Sequence, residues 1–130
     1  MSSCAVIFSD IDDFRKFNND FGHEMGDRVL KEVSEVITNT VRKEDRIYRY
    51  GGEEIVVLLK NCDKAAAKAI AEKIRTRIAA IRIEPLPGIT ISIGISSYPD
   101  GIKTLSQIIK QADMAMLFAK RCGKNNVQTV

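Results

Sequence analysis

Five of the 17 acids of this 130-residue chain crowd into two places. Asp10, Asp12 and Asp13 follow directly on the apolar run CAVIFS, and Glu53 and Glu54 follow directly on Gly51-Gly52. Carboxylates held close together repel unless a cation lies among them. Oxygen donors select hard ions, and Mg²⁺ is typically held by one or two carboxylates together with the phosphate oxygens of a substrate. If Asp10 and the Glu53-Glu54 pair meet in the fold, they predict a centre for Mg²⁺ or Mn²⁺. Gly51 and Gly52 lack a Cβ, so a chain of phosphates could lie against the backbone there. The competing reading of Gly-Gly-Glu-Glu is a solvated turn whose acids face water.

Positioning these acids is the task of the elements around them. Cys4 to Ser9 is short, apolar and β-rich, and reads as a central strand that delivers Asp10 at its end. From Gly26 to Val41 the residues Val29, Leu30, Val33, Val36, Ile37 and Val41 recur at helical spacing. Arg46 to Tyr50 and Ile55 to Leu59 are β-type runs joined as a hairpin by Gly-Gly-Glu-Glu. If the second run neighbours the first strand, about 4.8 Å away, Asp10 and Glu53 converge at one end of the sheet.

Asp63 reads as the N-cap of an Ala-rich helix reaching Ile81, with Ile70, Ile74, Ile78 and Ile81 on one stripe. Gly88 to Ser96 alternates isoleucine with small residues, the pattern of a strand buried on one face. Thr104 and Gln107 form a capping-box pattern that opens a last helix to Arg121, stopped by Gly123, and residues 126–130 read as an edge strand. The order strand, helix, strand, strand, helix, strand, helix predicts an α+β fold, with a mixed or antiparallel sheet covered by helices.

Composition narrows the function. The length predicts one domain over residues 1–130. A net charge of +3 suits an anionic small molecule, and there are no Lys/Arg blocks of the kind that grip a nucleic-acid polymer. Cys4, Cys62 and Cys122 are odd in number and widely spaced, which predicts a reducing, cytoplasmic compartment rather than a disulfide framework or zinc knuckle. No apolar run approaches the roughly 20 residues of a membrane helix. Asp10 and Asp12 begin like a calcium loop, but Phe14 and Phe21 stand where ligands are needed. His23-Glu24 has no second histidine, and no Walker motif is present. Met114, Met116, Leu117 and Phe118 read as core or dimer packing.

The segments DIDDFRKFNNDFGHEMGD (10–27), RYGGEEI (49–55) and ADMAMLFAKRCGKN (112–125) together resemble the GGDEF domain of bacterial diguanylate cyclases, here with GGEEI as the signature. The resemblance implies a ferredoxin-like palm, as in nucleotide cyclases, and a reaction in which two GTP condense to cyclic di-GMP and two pyrophosphates across a homodimer. It implies Asp10, the carbonyl of Ile11 and Glu53 as ligands of Mg²⁺ or Mn²⁺. Glu53 is also the implied base for the 3′-hydroxyl, supported by Glu54, with Arg15 near the phosphates where the family usually has lysine. Asn18 and Asp27 correspond to the guanine-reading pair, Gly51 and Gly52 to the substrate loop, and Lys120 and Lys124 to the phosphate contacts, with Lys124 in place of a common arginine. Arg42 and Asp45, an RxxD motif five residues before Gly51, correspond to the inhibitory site for cyclic di-GMP; taken alone, they read as a salt bridge at a helix end. Ile55 replaces the usual phenylalanine, and Asn19 the usual aspartate. The family's DxLTGLxNRR segment is not found before the first strand, which leaves a truncated chain or a domain that lost its front as the expectation. The resemblance thus leaves two readings, an active cyclase or a silent module that binds GTP or cyclic di-GMP.

Overall fold

The computed structural model describes residues 3–98 and 104–130. In chain order the elements are β1 (Cys4–Ile11), α1 (Phe14–Phe21), α2 (His23–Thr40), β2 (Arg46–Arg49), β3 (Glu54–Lys60), α3 (Lys64–Ala79), β4 (Ile91–Tyr98), α4 (Leu105–Arg121) and β5 (Val127–Thr129). The strands form one sheet in the order β2-β3-β1-β4-β5. All pairings are antiparallel except β4 with β5, so the sheet is mixed and the fold α+β.

β1 lies at the centre because it is apolar on both faces, and the period of two divides its residues between two cores. Ala5, Ile7 and Ile11 join the larger core with Val33, Ile37, Val57, Ile74, Ile78 and Ile93, beneath α2 and α3. Val6 and Phe8 point the other way, to Val56, Ile108, Ala112 and Met116 beneath α4. By the same alternation Asp10 emerges on the α4 side.

Gly88 to Ser96 was expected to be buried on one face only, yet β4 is buried on both. Its small residues are the reason. A Cβ on Gly94 would lie 2.1 Å from the Ala112 carbonyl oxygen and 2.2 Å from the Met116 nitrogen, so α4 rests directly on the strand where isoleucine would have held it off. Ser96 donates to the Ile108 carbonyl, which satisfies its hydroxyl beneath the helix.

The helix ends follow their caps. The Asp63 carboxylate accepts from Ala66 N at 2.8 Å and opens α3, whose buried stripe runs through Ala67, Ala71, Ile74 and Ile78, with Ile70 and Ile81 only partly covered. Thr104 and Gln107 form the reciprocal capping box at α4. The sequence pattern did not reveal α1: Asp13, at its N-cap, is left-handed and makes no side-chain cap bond, and the helix is held by burial of Phe14 and Phe17. No helix among the described residues is long and apolar enough to cross a membrane.

Candidate active site

Antiparallel pairing sets Asp10 opposite Glu54 across β1 and β3. One residue further, the Ile11 amide donates to the Glu53 carbonyl at 3.4 Å. Asp10, Ile11, Glu53 and Glu54 therefore occupy one end of the sheet. The turn before them is pinned by Tyr50 N donating to the Glu54 carbonyl at 2.8 Å, by Arg49, whose Nη2 donates to the Gly52 carbonyl at 2.9 Å, and by the Tyr50 ring set edge-on against Phe8. A Cβ on Gly51 would come within 2.6 Å of Glu54 Oε1, whereas one on Gly52 would meet nothing within 4 Å. The first glycine thus makes room for the chain's own carboxylate, and the second faces open space.

Lys120, near the end of α4, reaches into the acids. Its Nζ lies 3.0 Å from Asp10 Oδ1 and 3.1 Å from Asp12 Oδ1, and 3.4 Å from the Ile11 carbonyl oxygen. Burial alone would lower its pKa, but the two carboxylates prevail and hold it above the ordinary lysine value. Asp10 is pushed up, first by burial and then by Glu53 and Asp12, against the opposing pull of Lys120. Glu54 is pushed up by burial, then by Asp10, Asp113 and Glu53.

No group of three or more His, Cys, Asp or Glu side chains among the described residues is gathered tightly enough to hold a metal ion. The oxygens nevertheless fit a hard cation, because one ammonium already stands against both Asp10 Oδ1 and the Ile11 carbonyl. Lys120 is the cation in this structure, so a phosphate contact from the same side chain requires it to leave these oxygens.

Asp12, with its side chain 3% exposed, accepts from Ser92 Oγ at 2.6 Å, Thr90 Oγ1 at 2.6 Å, Lys120 Nζ at 3.1 Å and Asn125 N at 3.0 Å. Burial would raise its pKa, but these donors hold it below the ordinary carboxylate value. It ties the end of β1 to β4, α4 and the turn before β5. In that turn Lys124, in the left-handed region at φ 64°, pairs with Asp13 at 2.6 Å.

The proposed guanine readers lie where α1 meets α2. Asn18 is half-buried and Asp27 is exposed in the first turns of α2. Asn18 Oδ1 is buried without a hydrogen-bond partner among the described residues. Arg15 is exposed on α1.

Arg42 and Asp45 realise the salt bridge. Asp45, its side chain fully buried, accepts from Arg42 Nη2 at 2.9 Å, Arg42 Nε at 3.1 Å, Arg42 N at 2.8 Å and Lys60 N at 3.2 Å. Arg42 also donates to the Lys60 carbonyl. The Arg42 side chain stays 37% exposed, so it is the solvent-facing member of the pair.

Two acids at this site were missed in the sequence. Asp12 looked like any member of an acidic run, because its partners Thr90 and Ser92 are some eighty residues away. Asp113, whose charge acts on Glu54, lies seven residues before Lys120 on α4, and that same-face spacing was a usable signal.

A family model described as "Diguanylate cyclase, GGDEF domain" matches residues 1–126. Diguanylate cyclase A of Treponema denticola is 39% identical over 126 residues, 95% of this chain and 34% of that protein, so the chain spans about a third of its relative's length. Among solved structures, the active GGEEF domain of a diguanylate cyclase from Vibrio cholerae is 32% identical with a TM-score of 0.94, over 98% of this chain and 83% of that one. The GGDEF domain of DgcB from Caulobacter crescentus, solved in complex with c-di-GMP, is 28% identical with a TM-score of 0.93, over 98% of this chain and 78% of that one. With the acid-bearing strand ends and the sheet order in place, these matches make the chain a member of the GGDEF family.

Proposed function

We propose that this chain is a diguanylate cyclase, which joins two GTP into cyclic di-GMP and releases two pyrophosphates, with two copies each presenting one nucleotide. The observation that carries the reading is the placement of Asp10, Ile11 and Glu53 at one end of the sheet, where Asp10 and the Ile11 carbonyl already face the Lys120 ammonium. Asp10, Ile11 and Glu53 would hold Mg²⁺ or Mn²⁺, and the bound ion would neutralise phosphate charge and favour ionisation of the attacking hydroxyl. Glu53 takes the proton of the 3′-hydroxyl, whose oxygen forms a bond to the α-phosphorus as the bond to pyrophosphate breaks. Glu54 supports that charge centre. Asn18 and Asp27 select guanine, since Asp27 accepts from N–H donors that adenine does not present at that edge. Gly51 and Gly52 give the phosphates space, while Arg15, Lys120 and Lys124 meet their charge. Cyclic di-GMP restrains the enzyme at Arg42, whose guanidinium Asp45 orients. The reaction belongs in the cytoplasm, where GTP is available.

One observation favours a second reading. Lys120 occupies the very oxygens a metal needs, as expected of a module that binds GTP or cyclic di-GMP without turnover. Incubation of concentrated protein with GTP and Mg²⁺, followed by anion-exchange chromatography, separates the two. Cyclic di-GMP and pyrophosphate in a 1:2 ratio, lost in Glu53→Gln, are expected of the enzyme. Binding of GTP by calorimetry with no product, even when a dimerising tag is fused at the N-terminus, defeats it and leaves the module.

A further inference from the structure

Gly26 lies in the first turns of α2 with ordinary helical backbone; the glycines at positive φ are Gly22 and Gly123. A helix interior disfavours glycine over alanine, so the backbone gives no reason for its presence. The reason lies across the gap to α1. A Cβ on Gly26 would stand 1.7 Å from Asn18 Oδ1, 2.8 Å from Asn18 Cγ and 3.3 Å from Phe14 Cζ. Phe14 is a core ring, 6% exposed, and can yield little. Asn18 is the movable neighbour, and any side chain at position 26 turns its amide away. Independently, Asn18 Oδ1 is buried with no hydrogen-bond partner among the described residues, a costly state for an acceptor and one that fits its being packed against the bare Cα of Gly26.

We propose that Gly26 is a specificity-determining positioning residue. By presenting a bare Cα to α1, it seats the Asn18 amide beside Asp27, so that both groups face the same guanine edge. The inference rests on the reading that Asn18 and Asp27 select guanine, and it adds that this selectivity is set by a residue that never touches the base. Gly26→Ala should improve helix propensity and still damage recognition, because the steric demand falls on a recognising side chain rather than on the core.

The test is a double-mutant cycle on the 130-residue chain with Gly26→Ala, Asn18→Ala and both together, titrated with GTP and ATP by calorimetry, with urea unfolding alongside. Gly26→Ala is expected to weaken GTP binding about tenfold, close to 1.4 kcal/mol, with ATP binding unchanged. In the Asn18→Ala background the same change should have no further effect, and any stability that Gly26→Ala loses should be restored there, because the clash is gone. The side-chain amide resonances of Asn18, assigned by their loss in Asn18→Ala, should shift in Gly26→Ala without any nucleotide. Unshifted resonances, additive losses in GTP affinity, or wild-type GTP affinity in Gly26→Ala each overturn the proposal. If the resonances shift but Asn18→Ala binds GTP like wild type, the seating survives and the guanine reading fails, and the specificity role fails with it.

Discussion

Asp12→Asn changes one atom of a buried side chain, and the structure predicts that this near-isosteric change is costly. Oδ1 accepts from Ser92 Oγ and Lys120 Nζ, and Oδ2 from Thr90 Oγ1 and Asn125 N. An amide supplies only one acceptor oxygen. With the NH₂ group at the Oδ2 position it meets the backbone N–H of Asn125, which cannot turn. At the Oδ1 position it meets the Lys120 ammonium, which can lean on Asp10 at 3.0 Å, while the Ser92 hydroxyl rotates to accept. The second arrangement is the milder, and it still loses the ion pair and weakens the remaining charge-assisted bonds. With hydrogen bonds to a charged group worth roughly 1.5–3 kcal/mol each, the net cost should be about 2–4 kcal/mol. Asp12→Ala, which strands Thr90, Ser92 and the Asn125 amide and leaves a cavity, should cost about 1 kcal/mol more. Urea unfolding followed by circular dichroism reads this directly. At a slope of about 2 kcal/mol per molar, the midpoint of Asp12→Asn should fall by about 1–2 M. A midpoint within about 0.3 M of wild type, the least a 0.5 kcal/mol loss would produce on a typical slope, would show that the four donors do not converge on this carboxylate in solution.

Asp45 supplies a pH signature. Burial would raise its pKa, but Arg42 and the amides of Arg42 and Lys60 hold it below the ordinary carboxylate value. Its stabilisation is therefore fully present above the unfolded pKa, about 3.9, and is lost as pH falls through the lower folded value; the stability gap between wild type and Asp45→Asn should be flat from neutral pH to about 5 and close below it. A gap that widens towards acid would have the wrong sign. Gly94→Ala forces a Cβ onto backbone atoms of α4 that cannot rotate away, and should cost about 3 kcal/mol or more in urea unfolding; a neutral result would mean α4 does not rest on β4 as described. Mn²⁺ without nucleotide should raise the melting temperature, in line with about 2.7 kcal/mol at a hundredfold excess over its dissociation constant. The rise should vanish in Glu53→Gln and on chelation, and a rise equally produced by KCl of matched ionic strength would rule out a specific site.

Much of this was legible because the decisive signals are local. The central strand, the hairpin, the Asp63 cap and the Thr104–Gln107 box are written in adjacent residues, while β1 beside β3 was a condition that the sheet register meets. α1 was not legible, since its start has a left-handed Asp13 and no cap bond, and two aromatic contacts with the core replace the usual periodic stripe. β4 misled for a different reason: serine and glycine read as a solvent face, but here they are the space that a helix needs to approach. The family resemblance nominated the candidate site residues, whereas no pattern in the sequence indicated that Lys120 would sit on Asp10 and Asp12 or that Asp45 would be fully enclosed. Those are outcomes of tertiary distance, settled between residues as far apart as Asp12 and Asn125.

The same placement explains how the chain tolerates its acids. Asp10, Asp12, Glu53 and Glu54 share one end of the sheet, with the charge of Asp113 on α4 acting on Glu54, and burial raises the pKa of Asp10, Glu54 and Asp113, so the cluster opposes folding unless positive charge is supplied. Lys120 supplies it from within, anchored by a helix that lies directly on β4 through Gly94, while β1, the strand that carries Asp10, is covered on both faces. The strain is thus borne by the most buried part of the fold, which is where a site must be rigid to hold reacting groups in register. A single ammonium also leaves the cluster short of positive charge. That shortfall is what a divalent cation and the basic side chains around a triphosphate would complete, and it links the packing of a central strand to the chemistry proposed at its end.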